Sequence, residues 1–292
     1  MSACGSKADL LIGRNIGATP PQAGAATGGG DVGGGAGKPA AEAGSGGEAG
    51  AAPPLDCAED AGTPNAALLH RYSFDGTGWL AKDSVGTADG ELLNVVGSGP
   101  STDAGTGALL DGNGHLVLSG NGYVDLPNHL ISPLTEVSIV AWVQWTGNIA
   151  FERIFDFGVG VGEDNSTGAG KSYLALTPTG LTGTRLQILT KGENTGEQKI
   201  ISNVQLRGQM HQVAVVFVSS SYTELYSDGV QVGRTNVAYA LSDISDLNDW
   251  IGRSQWRDNH TFEGTYDELR IYGRALTPCQ VAAQNAAGPD AL

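Results

Sequence analysis

Apolar and polar residues alternate repeatedly along this chain from about residue 68 onward. The clearest stretch is residues 137–145, in which every second position is apolar: Val137, Ile139, Ala141, Val143 and Trp145. Successive side chains of a β-strand point to opposite faces, so a period of two indicates a strand with one face in a core. The pattern predicts that this segment is a central strand of a sheet.

Further segments of strand character follow at short intervals, separated by turns rich in Gly, Asp and Asn. They cover residues 68–74, 122–126, 151–158, 172–177, 185–190, 198–203, 211–218, 223–226, 230–234 and 262–272. The pair Asp228-Gly229 is a hairpin signal, because tight hairpin turns need residues that tolerate positive φ. Many short strands at regular spacing predict an antiparallel β-sandwich.

The segment 262–277 is expected to hold the last strand and the start of a short helix. Alternation places Tyr266, Glu268, Arg270 and Tyr272 on one face and Thr265, Asp267, Leu269 and Ile271 on the other. Leu269 and Ile271 are the expected core anchors, so Asp267 would face inward, where a carboxylate needs a metal, a cation or several N–H donors. Thr277 as N-cap and Pro278 at the first helical position predict the helix.

Composition and net charge limit the kinds of molecule that this chain can bind. The chain has 292 residues, 45 of them Gly, with 7% aromatic and 16% charged residues and a formal net charge of -15. Nucleic-acid binding requires a basic surface, so a nucleic-acid partner is excluded on charge. The acidity suits a hard cation such as calcium, or it serves only to keep the protein in solution. No apolar run reaches the roughly 18 residues of a membrane span.

Residues 1–60 differ from the rest of the chain. From residue 18 to about residue 54 the sequence is Gly, Ala and Pro with scattered charges. Such a segment has almost nothing to bury, so we expect a disordered tether. Near its start, the run Ser2-Ala3-Cys4-Gly5-Ser6 resembles the end of a bacterial lipobox. Lipidation of Cys4 is therefore expected, and a chance match of a short motif is the alternative.

Motifs of the folded part occur in a characteristic order. An aromatic strand ends in Phe74-Asp75 and a Gly turn, and residues 83–86 read Asp-Ser-Val-Gly. Residues 122–127 read Gly-Tyr-Val-Asp-Leu-Pro and residues 138–143 read Ser-Ile-Val-Ala-Trp-Val. This order, completed by the last strand and helix, resembles the laminin-G-like jelly-roll domains of the concanavalin A-like lectin/glucanase superfamily, over about residues 68–283.

The resemblance implies an all-β fold class. We expect a two-sheet antiparallel β-sandwich of jelly-roll type with a short C-terminal helix, occupying residues 61–292 behind the tether. Terminal strands are neighbours in this family, so Cys57 and Cys279, which flank the sandwich, would meet in a disulfide. Such a bond implies export to an oxidising compartment, and two free thiols are the alternative.

The resemblance also implies a candidate metal site, because the first and last strands are adjacent in this family. A single calcium often ties the adjoining loops together in this family. Asp75 and Asp267 would supply carboxylates to it, and Asp83 would join them. The alternative is that these acids cap Gly-rich turns by accepting backbone N–H groups.

Catalytic residues are not predicted. Glucanases of this architecture carry Glu-x-Asp-x-x-Glu on one strand, which sets two carboxylates about 5–5.5 Å apart. The nearest approximation is Glu152 with Asp156, expected on one strand face but about 13 Å apart at about 3.3 Å per residue. The five histidines are scattered without zinc-ligand spacing.

Ligand binding is the expected function, and Trp256 is the expected anchor. This loop Trp stands beside Arg253, Arg257 and Asn259, and an aromatic ring beside polar donors can stack on a sugar face. The alternative is that Trp256 only seals the end of the sandwich. We expect a noncatalytic module at a bacterial cell envelope or surface that binds a glycan or, alternatively, an extracellular protein. Contact with the membrane is expected only through a lipid anchor on Cys4.

Overall fold

Two antiparallel sheets of eight strands each pack face to face in the computed structural model. The structure describes residues 57, 64–94, 107–161, 168–181 and 183–292, which all belong to one compact unit, Pro53–Leu292. The predicted tether and Cys4 lie outside the described residues. The predicted all-β sandwich with a short C-terminal helix is confirmed.

Sixteen strands and one helix follow one another along the described chain. They are β1 (Leu68–Tyr72), β2 (Leu80–Ala81), β3 (Gly90–Asn94), β4 (Ala108–Leu110), β5 (Leu116–Ser119), β6 (Gly122–Leu126), β7 (Glu136–Trp145), β8 (Phe155–Val159), β9 (Ser172–Thr177), β10 (Gln187–Lys191), β11 (Gln198–Ile201), β12 (Met210–Val218), β13 (Tyr222–Ser227), β14 (Val230–Asn236), β15 (Asn248–Ile251), β16 (Glu263–Tyr272) and the helix α1 (Pro278–Ala287). Short 3₁₀ helices occupy Pro64–Ala67 and Leu241–Asp243.

The strand order shows how distant segments are brought together. The first sheet runs β14-β13-β12-β7-β16-β5-β4, and β1 also pairs with β16. The second sheet runs β11-β10-β9-β8-β15-β6-β3-β2. Because β1 and β16 are antiparallel neighbours, the first and last strands adjoin, as the resemblance implied.

The core between the sheets follows the alternation read from the sequence. Val137, Ile139, Ala141, Val143 and Trp145 of β7 all lie in the main apolar cluster. Their opposite-facing neighbours also lie in an apolar environment, because Val140 and Trp142 pack under the helix against Tyr226, Tyr272 and Val281. The strand is therefore buried on both faces.

Register shifts interrupt both terminal strands, and the one in β16 corrects the faces predicted for that strand. In β16 the register shifts between Tyr266 and Glu268, so Tyr266 joins the core cluster with Leu269 instead of sharing a face with Glu268. Asp267 falls at this bulge and is half-buried, whereas the alternation placed it on the inward face. In β1 a shift after Leu68 places that residue in the outer cluster under the helix. One extra residue reverses the facing of everything before it.

The helix begins as the sequence predicts and closes the outer face of the first sheet. Thr277 Oγ1 accepts the Gln280 backbone N–H at 3.3 Å, and Gln280 Oε1 accepts the Thr277 backbone N–H at 3.1 Å. This reciprocal cap satisfies backbone donors at the first turn. Cys279 in that turn forms a disulfide with Cys57, which confirms the predicted pair. Among the described residues, no helix has the length and apolarity needed to cross a membrane.

The C-terminal residues return to the same face of the first sheet. Glu268 is buried and accepts hydrogen bonds from Arg71 Nε at 2.5 Å and from Arg270 Nε at 2.6 Å. Arg270 also donates to the carbonyl oxygens of Pro289 and, at 2.8 Å, Ala291. The buried charges are therefore paired, and the last residues are fastened beside β16.

Candidate functional site

A groove of about 400 Å³ lies on the outer face of the second sheet, the face that does not contact the first sheet. Its described lining residues are Phe151, Arg153, Leu181, Gln187, Leu189, Glu197, Lys199, Ile201, Trp256 and Asn259. Half of these side chains are apolar and half are polar or charged. A concave surface of this size and mixed character is typical of sites for small ligands.

The floor of the groove follows from strand alternation in β10 and β11. Gln187 pairs with Ile201 and Leu189 pairs with Lys199, so these four side chains share one face. The intervening residues of both strands point into the core. On the other side of Leu189 the register places Ala175 of β9. Its small side chain projects little from the sheet, which deepens the groove at this point.

Trp256 forms one wall of the groove. Its ring meets the ring of Tyr173 edge to face, with centroids 4.7 Å apart, and packs on Ala175 and Leu189. The backbone of Gly170 approaches so closely that a Cβ there would lie 2.9 Å from the indole. Trp256 remains partly exposed. It therefore stands on the outer face of the second sheet, and the alternative location at the end of the sandwich is wrong.

The loop that carries Trp256 is fixed to the sheet by Gln255. The Gln255 backbone N–H donates to Asp156 Oδ2 at 3.0 Å, and its Nε2 donates to the carbonyl oxygens of Asp156 at 3.1 Å and Asn248 at 3.0 Å. Ser254 Oγ accepts from Trp256 N at 3.1 Å and Asn259 Nδ2 at 3.0 Å. With its polar groups bonded in this way, the loop is ordered before any ligand arrives.

A buried ion pair lies beneath Trp256. Arg153 Nε donates to Asp156 Oδ2 at 3.2 Å, Nη1 donates to the Phe151 carbonyl at 2.7 Å, and Cζ lies 5.3 Å from the Trp256 ring centroid. Burial raises the pKa of Asp156 to about 6, although Arg153 and the Gln255 N–H act in the opposite direction. Burial lowers the pKa of Arg153. Sequence reasoning missed this pair, because neither residue type nor spacing distinguishes it from a surface pair.

A second polar pair borders the groove next to Trp256, because Tyr173 packs on the indole and bonds to Glu197. The Tyr173 hydroxyl donates to Glu197 Oε2 at 2.6 Å. Burial, together with the hydrogen bond to Glu197, raises the pKa of Tyr173, so the phenol stays protonated and keeps donating. Tyr173 is buried, whereas Glu197 is exposed toward the groove. Glu197 was not predicted, and its separation of 24 residues from Tyr173 gives no local signal.

Two of the four predicted ligand-binding residues are brought to this groove, namely Trp256 and Asn259. Arg253 instead stacks on Trp250, with Cζ 4.1 Å from the ring centroid, and on Tyr123 at 4.5 Å. The backbone N–H of Arg257 donates to the Gly168 carbonyl at 3.3 Å, and its side chain is exposed. Neither arginine is among the described residues that line the groove.

The predicted calcium ligands lie in different surroundings. Asp83 accepts backbone N–H groups from Arg71, Val85 and Gly86 at Oδ1, and from Ala88 at Oδ2, which also meets His70 Nδ1 at 2.7 Å. Burial acts to raise the pKa of Asp83, but these bonds, the His70 contact foremost, lower it to about 2. A carboxylate surrounded by donors in this way caps a turn.

Asp75 and Asp267 are near enough to interact electrostatically. Burial raises the pKa of Asp267, His115 acts in the opposite direction, and Asp290 and Asp75 raise the pKa further. Within the described part of the chain, no group of three or more His, Cys, Asp or Glu side chains is arranged to hold a metal ion. Calcium at Asp75, Asp83 and Asp267 stays a prediction.

The expectation that Glu152 and Asp156 share a strand face is wrong. Glu152 precedes β8, and its carboxylate accepts from Trp145 Nε1 at 2.8 Å and from the backbone N–H groups of Ile149 and Glu263 at 3.0 Å. Asp156 lies on the outer face of β8 against Arg153. The first carboxylate holds a loop to the first sheet, and the second neutralises a buried cation.

Comparison with known families identifies the class of domain. The model of the Laminin_G_3 family, described as the concanavalin A-like lectin/glucanases superfamily, matches residues 118–282. The match spans more than half of the chain, and the chain therefore belongs to this family. Comparison with curated proteins gives no match.

Solved structures share the fold at low sequence identity. Domain 4 of AbnA, a GH43 extracellular arabinanase from Geobacillus stearothermophilus solved with arabinotriose, has a TM-score of 0.56 and 23% identity over 74% of this chain and 97% of that domain. The binding domain of botulinum neurotoxin DC, solved with rat synaptotagmin II, has a TM-score of 0.55 and 14% identity over 77% of this chain. This chain spans about half of the toxin domain, 52%.

Proposed function

We propose that this chain is a noncatalytic carbohydrate-binding module that holds its ligand in the groove beside Trp256. The observation that carries the proposal is the groove itself, where a partly exposed indole stands beside polar side chains on a floor fixed by the sheet. Sugars present apolar C–H faces and polar hydroxyl edges. An aromatic ring flanked by amide and charged groups complements both.

Preorganisation supports binding by this surface. Gln255 and Ser254 anchor the Trp256 loop, and the Arg153–Asp156 pair fills the space beneath the indole. A loop that is already ordered loses little conformational entropy when a ligand binds. The groove volume of about 400 Å³ lies at the low end of the range for ligand pockets, about 300–1,000 Å³, which favours a short saccharide segment.

Structural neighbours agree with a binding role. The AbnA domain was solved with arabinotriose, and nearly its whole length matches this chain. The botulinum neurotoxin type C structure that also matches concerns two ganglioside molecules, at a TM-score of 0.52 and 13% identity. These are ligands of those proteins. They support the proposal that the same sandwich presents a saccharide site in this chain.

The noncatalytic half of the proposal rests on how the acids of the site are used. Hydrolysis of a glycosidic bond needs two carboxyl groups facing one ligand, about 5–9.5 Å apart. Asp156 is buried against Arg153, and Glu152 bonds to Trp145 at the first sheet. Glu197 is the one carboxylate among the described lining residues. We propose that it binds the ligand rather than transfers a proton to it.

Export is the proposed setting. Disulfides persist in oxidising compartments, and the Cys57–Cys279 bond suits an exported domain. We further propose display at a cell envelope through a tether lipidated at Cys4. Mass spectrometry of the native N-terminal peptide tests this: a diacylglyceryl mass on Cys4 is expected, and an unmodified Cys4 peptide contradicts it.

Isothermal titration calorimetry with uncharged trisaccharides tests the binding function. Trp256→Ala should weaken binding by about 1–3 kcal/mol, the scale of one aromatic contact and its buried area. The matched control is Trp79→Ala, because Trp79 is exposed at 38% and is not a groove residue. The control should leave Kd unchanged. Both variants should keep the circular dichroism spectrum of the parent, and Trp256→Ala should melt somewhat lower because its ring packs on Leu189 and covers Arg153.

The proposal is contradicted if the folded protein binds no saccharide in a broad glycan array. It is also contradicted if Trp256→Ala and Trp79→Ala bind equally well. Release of reducing sugar from a bound polysaccharide by the purified protein would refute the noncatalytic half.

One observation favours a second function, the binding of an extracellular protein. Leu181 is 85% exposed and Ile201 is 41% exposed, and both stand at the groove beside β11, the last strand of its sheet. Exposed apolar side chains next to a sheet edge are typical of protein-binding surfaces. Under this alternative, the parent chain captures one defined envelope protein and binds no saccharide. Leu181→Ser should abolish that capture.

A further inference from the structure

Glu197 is held in one orientation at the rim of the groove. Its Oε2 accepts the Tyr173 hydroxyl at 2.6 Å, and the Tyr173 ring is buried against Trp256. An exposed carboxylate normally samples several rotamers, and this contact restricts it. The carboxylate therefore stands ready to accept further hydrogen bonds from a ligand beside the exposed part of Trp256.

The other charges of the groove decide what such a carboxylate can bind. Arg153 is already paired with Asp156 and bonded to the Phe151 carbonyl. Glu197 directly precedes β11, Lys199 lies in that strand, and both side chains line the groove. The two acidic and two basic side chains balance locally, on a chain whose net charge is -15. No excess of positive charge among these described residues is left to neutralise an anionic ligand.

Hydroxyl groups are the donors that best suit this arrangement. A carboxylate only accepts hydrogen bonds, and bonds from O–H donors to a charged acceptor are stronger than those between neutral partners. An acidic sugar would instead place its carboxylate near Glu197 and lose its hydration. Leu189 and Ile201 on the floor, with Leu181 at the rim, favour a ligand with little charge to desolvate.

We propose that Glu197 is the specificity-determining residue of the groove, which selects uncharged saccharides by accepting hydrogen bonds from their hydroxyl groups and excludes acidic ones. This inference rests on the proposed function. Tyr173 is the positioning residue that orients Glu197. Binding then depends little on salt, because no net charge is transferred from water into the groove.

The test compares saccharides that differ by one carboxylate. Calorimetry at low and high salt uses arabinotriose, cellotriose and galactotriose, and the same trisaccharides with a terminal primary hydroxyl oxidised to a carboxylate. The uncharged form should bind more tightly, with a Kd that salt leaves unchanged. Glu197→Gln keeps the shape but loses the charge, and should weaken the uncharged ligand about tenfold, the difference between charged and neutral hydrogen bonds.

Two further variants separate a binding role from a structural one. Tyr173→Phe should weaken the uncharged ligand in the same direction as Glu197→Gln and should show no added effect in the double variant, because both act through one contact. Glu193→Gln is the matched control, since Glu193 bonds to Ser245 Oγ at 2.7 Å and is not a groove residue. The control should leave Kd unchanged, and Glu197→Gln should relax the discrimination against oxidised trisaccharides.

The outcomes distinguish this inference from the function on which it rests. If Trp256→Ala weakens binding but Glu197→Gln does not, the carbohydrate function stands and the inference is overturned. The inference is likewise overturned, and the carbohydrate function stands, if the oxidised trisaccharides bind more tightly than the uncharged ones. If no saccharide binds at all, the proposed function fails and the inference fails with it.

Discussion

Removal of the disulfide is the sharpest test of how the sandwich is stabilised. Cys57 and Cys279 are 222 residues apart, and each lies beyond a terminal strand. In the unfolded chain the bond closes a loop of that length, and in the chain-entropy model this stabilises the folded state by about 5 kcal/mol. The double variant Cys57→Ser/Cys279→Ser should therefore lose about that much of the free energy of unfolding.

The folded state itself should survive the change. Helix α1 is held to the outer face of the first sheet by Val281, which packs with Trp142 and Tyr272, and by the Thr277 cap. The disulfide thus acts mainly on the unfolded ensemble. With a urea m-value of about 2.5 kcal/mol/M, the unfolding midpoint should fall by about 2 M, and m should rise somewhat because the unfolded chain without the crosslink exposes more surface.

Urea unfolding followed by tryptophan fluorescence measures this shift, and single variants supply the control. Cys57→Ser and Cys279→Ser break the same bond, so their midpoints should nearly coincide. Cys279 is the more buried of the two, and its variant carries a small extra packing loss. The reasoning is refuted if the midpoint of the double variant, or that of the parent after reduction, lies within about 0.3 M of the midpoint of the oxidised parent.

Two further predictions concern acidic residues. Asp83→Ala should lower the free energy of unfolding by about 2–4 kcal/mol, because it leaves several backbone N–H groups without an acceptor. Since the folded pKa of Asp83 is about 2 and its ordinary value is 3.8, its stabilisation is present above pH 4 and lost as pH falls toward 2; an Asp83→Asn variant with the same acid unfolding profile contradicts this. If Asp75 and Asp267 bind calcium, a chelator should lower the melting temperature and added calcium should restore it. Equal melting curves in calcium and chelator contradict a calcium site, and Asp75→Asn should abolish any response.

The sequence could predict the parts of the fold that depend on local periodicity. The segment containing Val137 and Trp145 alternates without interruption, and it forms the two-faced strand β7. The hairpin at Asp228-Gly229 could also be predicted, from residue type alone. In the structure both residues adopt positive φ, 49° and 78°. The cap of Thr277 and the pairing of Cys57 with Cys279 followed from residue type and from the resemblance.

Register shifts could not be predicted in the same way. The bulge beside Tyr266 reverses the facing of half of β16, yet the flanking residues alternate as a regular strand would. Bulges depend on what the neighbouring strands require, in this case the shared pairing of β16 with β5, β1 and β7. A period-two pattern contains no information about that requirement.

Only some of the groove residues could be predicted from the sequence, for a related reason. Trp256 and Asn259 are near each other in sequence and could be proposed together, whereas Glu197 and Arg153 come from distant parts of the chain. Arg253 looked equivalent to its neighbours, but it stacks on Trp250 and Tyr123 instead. Which polar residues converge on a sheet face is set by strand order, and that order is a long-range property of the fold.

Both ends of the sandwich domain are attached on the side away from the groove. Cys57 is bonded to the helix on the outer face of the first sheet, and Arg270 fastens Ala291 beside the same face. The groove opens on the outer face of the opposite sheet. A bead, a sensor surface or a fused fluorescent protein joined next to Cys57 or after Leu292 would therefore sit behind the ligand and leave the groove open to solution.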